Sequence, residues 1–130
     1  MQRILIDSTI WISWLRSRTD PRSLIHPYLL HNSIFTCGVI TAEVLRGITS
    51  LQQREKMESF FGLLSDVPLL SSVWQSVATL AWNLDRKGKV LPLTDLIIAQ
   101  AALICGATII STDRHFSEIS GILVRDKFPA

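Results

Sequence analysis

Cysteine is scarce in this chain: there are two in 130 residues, Cys37 and Cys105. Each sits in an apolar stretch, and neither has a neighbour at metal-ligand spacing. That excludes a disulfide scaffold and a thiolate zinc site, and it reads both as small core residues suited to a reducing cytoplasm. Long apolar runs are missing as well. No stretch approaches the roughly 20 residues of a membrane span, although 48% of the chain is hydrophobic. The opening Met1-Gln2-Arg3 runs straight into a strand pattern, without the cationic stretch, apolar segment and cleavage site of a signal peptide, so none is expected. Internal repeats, low-complexity segments and linkers are also lacking, and residues 1–130 read as a single domain with one core. An excess of one charge is nearly absent, with 13 Lys and Arg against 11 Asp and Glu. A net charge of +2 is by itself a weak signature of nucleic-acid binding.

Four acids occupy places where a hydrophobic chain can ill accommodate them. Asp7 closes the run Ile4-Leu5-Ile6, and Glu43 lies within Val39-Ile40-Thr41-Ala42-Glu43-Val44-Leu45. Asp95 opens Leu96-Ile97-Ile98-Ala99, and Asp113 follows Thr108-Ile109-Ile110-Ser111-Thr112. A carboxylate buried without a partner costs several kcal/mol, on the order set by desolvation, or takes up a proton. Four such acids beside core-forming segments imply that the fold brings them together around a cation. Hard oxygen ligands favour Mg²⁺ or Mn²⁺, and phosphodiester hydrolysis is the chemistry such a site does best. With these four acids assigned to a cation, 13 basic residues face seven acids, a residual +6 compatible with a polyanionic substrate.

Short β-branched runs alternate with helical periodicity, which predicts an α/β domain with a largely parallel sheet. Strands are expected at Arg3 to Asp7, Ser33 to Cys37, Val67 to Leu70, Thr108 to Ser111 and Ile122 to Val124. A first helix carries Ile10, Trp11, Trp14 and Leu15 on one stripe. Asp20-Pro21 opens a second helix towards His31, and a third runs from Val39 to Ile48. Ser50-Leu51-Gln52-Gln53 has capping-box spacing and starts a helix through Leu64. Ser72-Val73-Trp74-Gln75 repeats that spacing before a helix with Trp74, Val77, Ala78, Ala81 and Trp82 on its expected buried side. The segment Thr94 to Cys105 is apolar almost all round, hence central, and Gly106 ends it. In this order Asp7 and Asp113 fall at the carboxyl ends of strands, and Glu43 and Asp95 in the first turns of helices. In open α/β sheets that is the side of the ligand crevice.

Four segments together resemble the PIN-domain family, and within it the VapC-type toxins of bacterial toxin–antitoxin pairs. They are Ile4-Leu5-Ile6-Asp7-Ser8-Thr9-Ile10-Trp11-Ile12, Thr41-Ala42-Glu43-Val44-Leu45-Arg46-Gly47, Leu93-Thr94-Asp95-Leu96-Ile97-Ile98-Ala99 and Thr112-Asp113-Arg114-His115-Phe116. Order and spacing agree from Ile4 to about Val124. The resemblance implies a three-layer domain with a five-stranded sheet, and an endoribonuclease whose acidic quartet Asp7, Glu43, Asp95 and Asp113 holds one or two Mg²⁺ or Mn²⁺ ions. Thr9 matches a hydroxyl residue that orients the first acid or a water, and Ser111 keeps a hydroxyl where many relatives have threonine. A homodimer and a small antitoxin presenting an arginine to the acids are implied partners.

Each assignment has a plainer counterpart. Asp7 and Asp113 could cap or turn the chain, Asp95 could serve only the helix dipole, and Glu43 could pair with Arg46 at i+3. Arg16, Arg46 and Arg114 are the bases nearest the acids in sequence and are candidates for RNA phosphate, with solvation as the default. His26, His31 and His115 lack ligand spacing and read as surface residues, His115 being a weak candidate for substrate contact. The four tryptophans stand at helical core spacing, so packing is expected over base stacking, and a tryptophan left at an interface would also fit. The alternative to a nuclease is a non-catalytic α/β module, either a PIN scaffold without catalysis or a receiver-like signalling domain. A receiver needs a phosphorylatable aspartate on a central strand and a lysine ending a later one, and neither is found here.

Overall fold

A computed structural model describes residues 2–30 and 32–128. Five strands are β1 (Gln2–Ile6), β2 (Asn32–Thr36), β3 (Ser65–Asp66), β4 (Thr108–Ile110) and β5 (Val124–Arg125). Six α-helices join them: α1 (Ser8–Arg16), α2 (Pro21–Leu29), α3 (Gly38–Arg46), α4 (Leu51–Phe61), α5 (Ser71–Arg86) and α6 (Leu93–Cys105), with a 3-10 turn at Arg114–Glu118. All four strand pairings are parallel, in the order β3-β2-β1-β4-β5. The chain therefore moves outward from β1 to β3, then crosses back to β4 on the other side of β1. Right-handed crossovers in opposite directions put α1–α4 and α5–α6 on opposite faces, a three-layer domain.

β1 is the centre of this arrangement. Its Ile4, Leu5 and Ile6 are fully buried, as a strand covered on both faces requires. Trp11 seals the adjoining core: it is fully buried, donates from Nε1 to the Ile6 carbonyl at 3.1 Å, and meets Phe60 and Phe61 edge-on. The reversal between β1 and β4 makes the gap beyond their carboxyl ends the topological switch point, where loops diverge and a cleft opens. The Asp7 amide donates to the Ile110 carbonyl at 2.9 Å, so β1 and β4 stay paired up to the point where the acids begin.

Several expectations need correction. The third strand is Ser65–Asp66; the buried Val67 still donates its amide to the Thr36 carbonyl at 2.8 Å, and residues 68–70 leave the sheet. The last strand is shifted to Val124–Arg125. α5 begins at Ser71 with Leu70 as its N-cap, so Ser72 lies inside the helix and forms no capping box. Its buried stripe is Val73, Val77 and Leu84, whereas Trp74 and Trp82 are exposed by 49% and 59%. Both stripes have i, i+3, i+4 spacing, and tertiary packing chose the one without the bulky rings. Glu43 is in the second turn of α3, past the first turn where it was expected. The second helix ends at Leu29 with Leu30 as its C-cap, and the expected surface placement of His31 lies outside the described residues. Asp20 caps α2 by accepting from the Arg22 amide, and Ser50 caps α4 by accepting from the Gln53 amide, both as expected.

Candidate metal centre

Asp7 is the residue at which β1 turns into α1, and it is 1% exposed. It occupies the N-cap position, yet its side chain makes no cap hydrogen bond. Instead Oδ2 accepts from Thr9 Oγ1 at 2.7 Å and from Ser111 Oγ at 2.8 Å. The two hydroxyls lie 3.5 Å apart and clamp one carboxylate oxygen, leaving Oδ1 for a further ligand. The capping explanation for Asp7 thus fails, and Thr9 and Ser111 act as orienting hydroxyls.

Ser111 links this acid to the next. The Asp113 amide donates to Ser111 Oγ at 2.9 Å, at the carboxyl end of β4. Asp113 in turn caps the 3-10 turn, its Oδ1 accepting from the His115 amide at 2.9 Å. Its plainer role as a turn residue therefore holds alongside its place in the cluster. Asp95, 8% exposed in the first turn of α6, faces the same gap. Burial pushes its carboxyl above the ordinary range; the hydrogen bond from His115 opposes this, while the charges of Asp113 and Asp7 add to it. The charges of Asp113 and Asp7 both reach Asp95, and the Ser111 hydroxyl bridges the Asp7 carboxylate to the Asp113 amide, so residues 7, 95 and 113 lie at the same end of the sheet.

Glu43 stands apart from that trio. It accepts from Ser8 Oγ at 3.1 Å at the start of α1, on the rim of the same end of the sheet. Among the described residues it forms no ion pair with Arg46, so the helical-pair explanation is not realised. Arg16, Arg46 and Arg114 are all exposed, and none forms an ion pair among the described residues. Arg16 lies in the last turn of α1, about 12 Å along the helix from its start near Asp7. Arg114 immediately follows Asp113, and Arg46 lies one turn beyond Glu43.

The sequence reading undervalued two residues. Ser8 gave no signal, because a serine after an N-cap aspartate is ordinary. His115 was read as surface, and its side chain is indeed 45% exposed, but Nδ1 turns inward. It lies 2.7 Å from Asp95 Oδ2 and 3.1 Å from Asp113 Oδ1. That contact with Asp95 raises the imidazole's proton affinity. The i, i+2 relation to Asp113 was visible in the sequence, whereas the 20-residue step to Asp95 was not.

The donor set fits a divalent cation. Two nearly buried carboxylates and a third partly buried one converge, and among the described residues no Lys or Arg pairs with Asp7, Asp95, Asp113 or Glu43. Asp95, Asp113 and His115 each offer a ligand atom, all within 4.8 Å of one another. Carboxylate-rich sites of this kind suit Mg²⁺ and Mn²⁺.

Comparison with known proteins agrees with the fold. The family model described as "PIN domain" matches residues 4–122. Among solved structures, a chain of VapBC2 from Rickettsia felis, bound to a DNA fragment from its promoter, is 19% identical. That alignment covers 95% of this chain and 98% of the other, at a TM-score of 0.79. VapBC-1 from nontypeable Haemophilus influenzae is 17% identical over 95% and 97% of the two chains, at 0.76. VapBC-5 from Mycobacterium tuberculosis, a member of the VapBC family of toxin-antitoxin systems, is 18% identical over 96% and 97%, at 0.62. No curated protein matches the sequence significantly.

Proposed function

This chain belongs to the PIN domain family, and from that premise we propose that it is a Mg²⁺- or Mn²⁺-dependent endoribonuclease, the toxin of a toxin–antitoxin pair. The observation that carries the reading is the pairing of Asp95 and Asp113 at the switch point, with the buried Asp7 tied to Asp113 through Ser111 and no Lys or Arg among the described residues to neutralise them. Glu43, on the rim, completes the ligand set. When bound, the cation supplies Lewis acidity at a scissile phosphodiester and eases ionisation of the attacking water.

The chain's own residues do the rest. Thr9 and Ser111 orient the Asp7 carboxylate through Oδ2, and the side chain held in this way would be ready to take part in holding a cation. Ser111 also ties Asp113 to Asp7, so the two strand-end acids move as one. Asp95 is the acid best suited to accept the proton of the attacking water, because burial already raises its proton affinity. The exposed Arg16, Arg46 and Arg114 are available for RNA phosphates around the acidic pocket.

The partners follow the same reading. Trp74 and Trp82 lie along one exposed stripe of α5, with Arg86 stacked 4.7 Å above the Trp82 ring. Such an aromatic stripe suits a homodimer interface, where two copies cover each other's rings. An antitoxin that inserts an arginine among Asp7, Asp95 and Asp113 would inhibit by charge neutralisation as well as by blockage. No helix among the described residues is long and apolar enough to cross a membrane, and cytoplasmic RNA is the proposed substrate.

The test is cleavage of labelled structured RNA by the purified full chain. Activity is expected with Mg²⁺ or Mn²⁺, is stopped by EDTA, and falls by about 10²-fold or more in Asp7→Asn and Asp95→Asn. Cleavage insensitive to chelation, or undiminished in both variants, overturns the metal mechanism. RNA binding without cleavage would make the protein a scaffold. Growth arrest on expression that depends on Asp7 supports the toxin role, and unchanged growth and RNA ends overturn it.

A further inference from the structure

The acids account for an oxygen-only site, but the nearest neighbour of Asp95 is a nitrogen. Nδ1 of His115 sits 2.7 Å from Asp95 Oδ2 and 3.1 Å from Asp113 Oδ1. Adjacent ligands on a six-coordinate ion with bonds of about 2.1 Å lie about 3 Å apart. Nδ1 is thus spaced from each oxygen as one ligand is from its neighbour on a coordination sphere, and the ligand atoms of the three residues lie within 4.8 Å of one another. The placement of the ring is built into the backbone. The His115 amide donates to Asp113 Oδ1 at 2.9 Å, and Phe116, the next residue, is fully buried. The base of the His115 side chain is therefore anchored on both sides, while its outer edge is open to solvent.

Resting on the reading of this cluster as the nuclease metal site, we propose that His115 is a further direct ligand beside Asp95 and Asp113, binding through Nδ1, and that its nitrogen tilts the site towards Mn²⁺ and other first-row transition ions over Mg²⁺. Imidazole favours first-row transition ions, whereas all-oxygen sites suit Mg²⁺ equally well. Coordination through Nδ1 requires the neutral ring with its proton on Nε2, on the solvent side of the imidazole. The competing role is that of an internal counter-ion, an imidazolium that sits between two carboxylates and must leave when metal enters. The two roles predict opposite signs. A ligand's removal weakens metal binding, whereas removal of a counter-ion strengthens it.

The full-length protein, stripped with EDTA, is titrated with Mn²⁺ and separately with Mg²⁺ by calorimetry, and the Mn²⁺ form is examined by pulsed EPR. The wild type should show modulation from a coordinated ¹⁴N that disappears in His115→Ala and His115→Gln. His26, the other described histidine, lies in the last turn of α2 and is exposed, so loss of the signal in these variants identifies the ring. Mn²⁺ affinity should fall about tenfold or more in both variants, with a smaller fall for Mg²⁺. Circular dichroism of the glutamine variant separates loss of the ligand from loss of the fold. Mn²⁺ binding without nitrogen modulation, or variants that bind Mn²⁺ as tightly as the wild type or more so, overturns the ligand role. If Asp95→Asn still abolishes that binding, the carboxylate metal site stands and only the histidine inference fails. Absence of Mn²⁺ binding to the wild type overturns both.

Discussion

Asp95 and His115 are the residues whose protonation the fold alters most legibly. The folded pKa of His115 is raised above its ordinary value of 6.5. Its stabilising contribution is therefore fully present below about pH 6.5 and is lost as pH rises through the folded value. Asp95 is also raised, from 3.8, because burial disfavours its charge. A raised acid contributes stability below its unfolded value and loses it as pH climbs through the folded one, so both groups slope the same way. In EDTA the thermal midpoint should fall as pH rises past about 6.5, and His115→Gln should flatten that decline. Excess Mn²⁺ should reverse the trend, since metal binding requires deprotonated ligands. Asp95→Asn should hold or raise the midpoint in EDTA at pH near 7, because it removes a buried charge. A marked loss there would make Asp95 a structural residue instead of a ligand held under repulsion.

At the scale of elements, α6 illustrates how a helix can be optimised at one end and stressed at the other. Its N-terminal turn carries the buried Asp95, and its C-terminus ends on Gly106 at φ +66. Arg3 NH1 donates to the Cys105 carbonyl at 2.8 Å, satisfying one of the final carbonyls. A Cβ at Gly106 would find only Arg3 NH1, at 3.9 Å, so space is available and only backbone strain opposes it. Gly106→Ala should cost about 1–2 kcal/mol, read as a lower urea midpoint with unchanged slope. Mn²⁺ affinity of the folded variant should not change, because Gly106 lies about 16 Å along the helix from Asp95. α5 carries the opposite lesson. Its sequence offers two overlapping apolar stripes, and tertiary packing, chiefly against α6, selects Val73, Val77 and Leu84 over the tryptophans.

For the whole molecule, the exposed aromatic stripe is the feature that a monomer leaves unexplained. If two copies bury Trp74 and Trp82 against each other, Trp74→Lys combined with Trp82→Lys should halve the mass seen by light scattering, to the 14.6 kDa of one chain. The α/β circular dichroism should persist, since neither ring contributes to the core. A wild type already monomeric at micromolar concentration would instead assign the stripe to another partner. The candidate acids lie at the sheet's carboxyl edge, so any RNA cleavage per chain should survive dissociation.

The parallel α/β architecture and the burial of Asp7 and Asp95 were legible in the sequence, because an acid within a buried apolar segment is costly enough to need a reason, whereas the place of Glu43 apart from the other acids was not. The caps at Asp20 and Ser50 and the stop at Gly106 were legible too, since each is a local hydrogen bond or a single backbone angle. What lay beyond reach was everything set by contacts distant in sequence. Clamping of Asp7 by Ser111 spans 104 residues, and Ser8 reaches Glu43 across 35. The turn of His115 onto Asp95 depends on β4 ending beside α6. Residues 67–70 have strand composition, yet pairing with β2 is limited to Ser65 and Asp66, with a last bond from the Val67 amide to the Thr36 carbonyl. Periodicity and composition report what a segment prefers, whereas strand limits, the buried face of α5 and the grouping of the acids are decided by which neighbours the fold supplies.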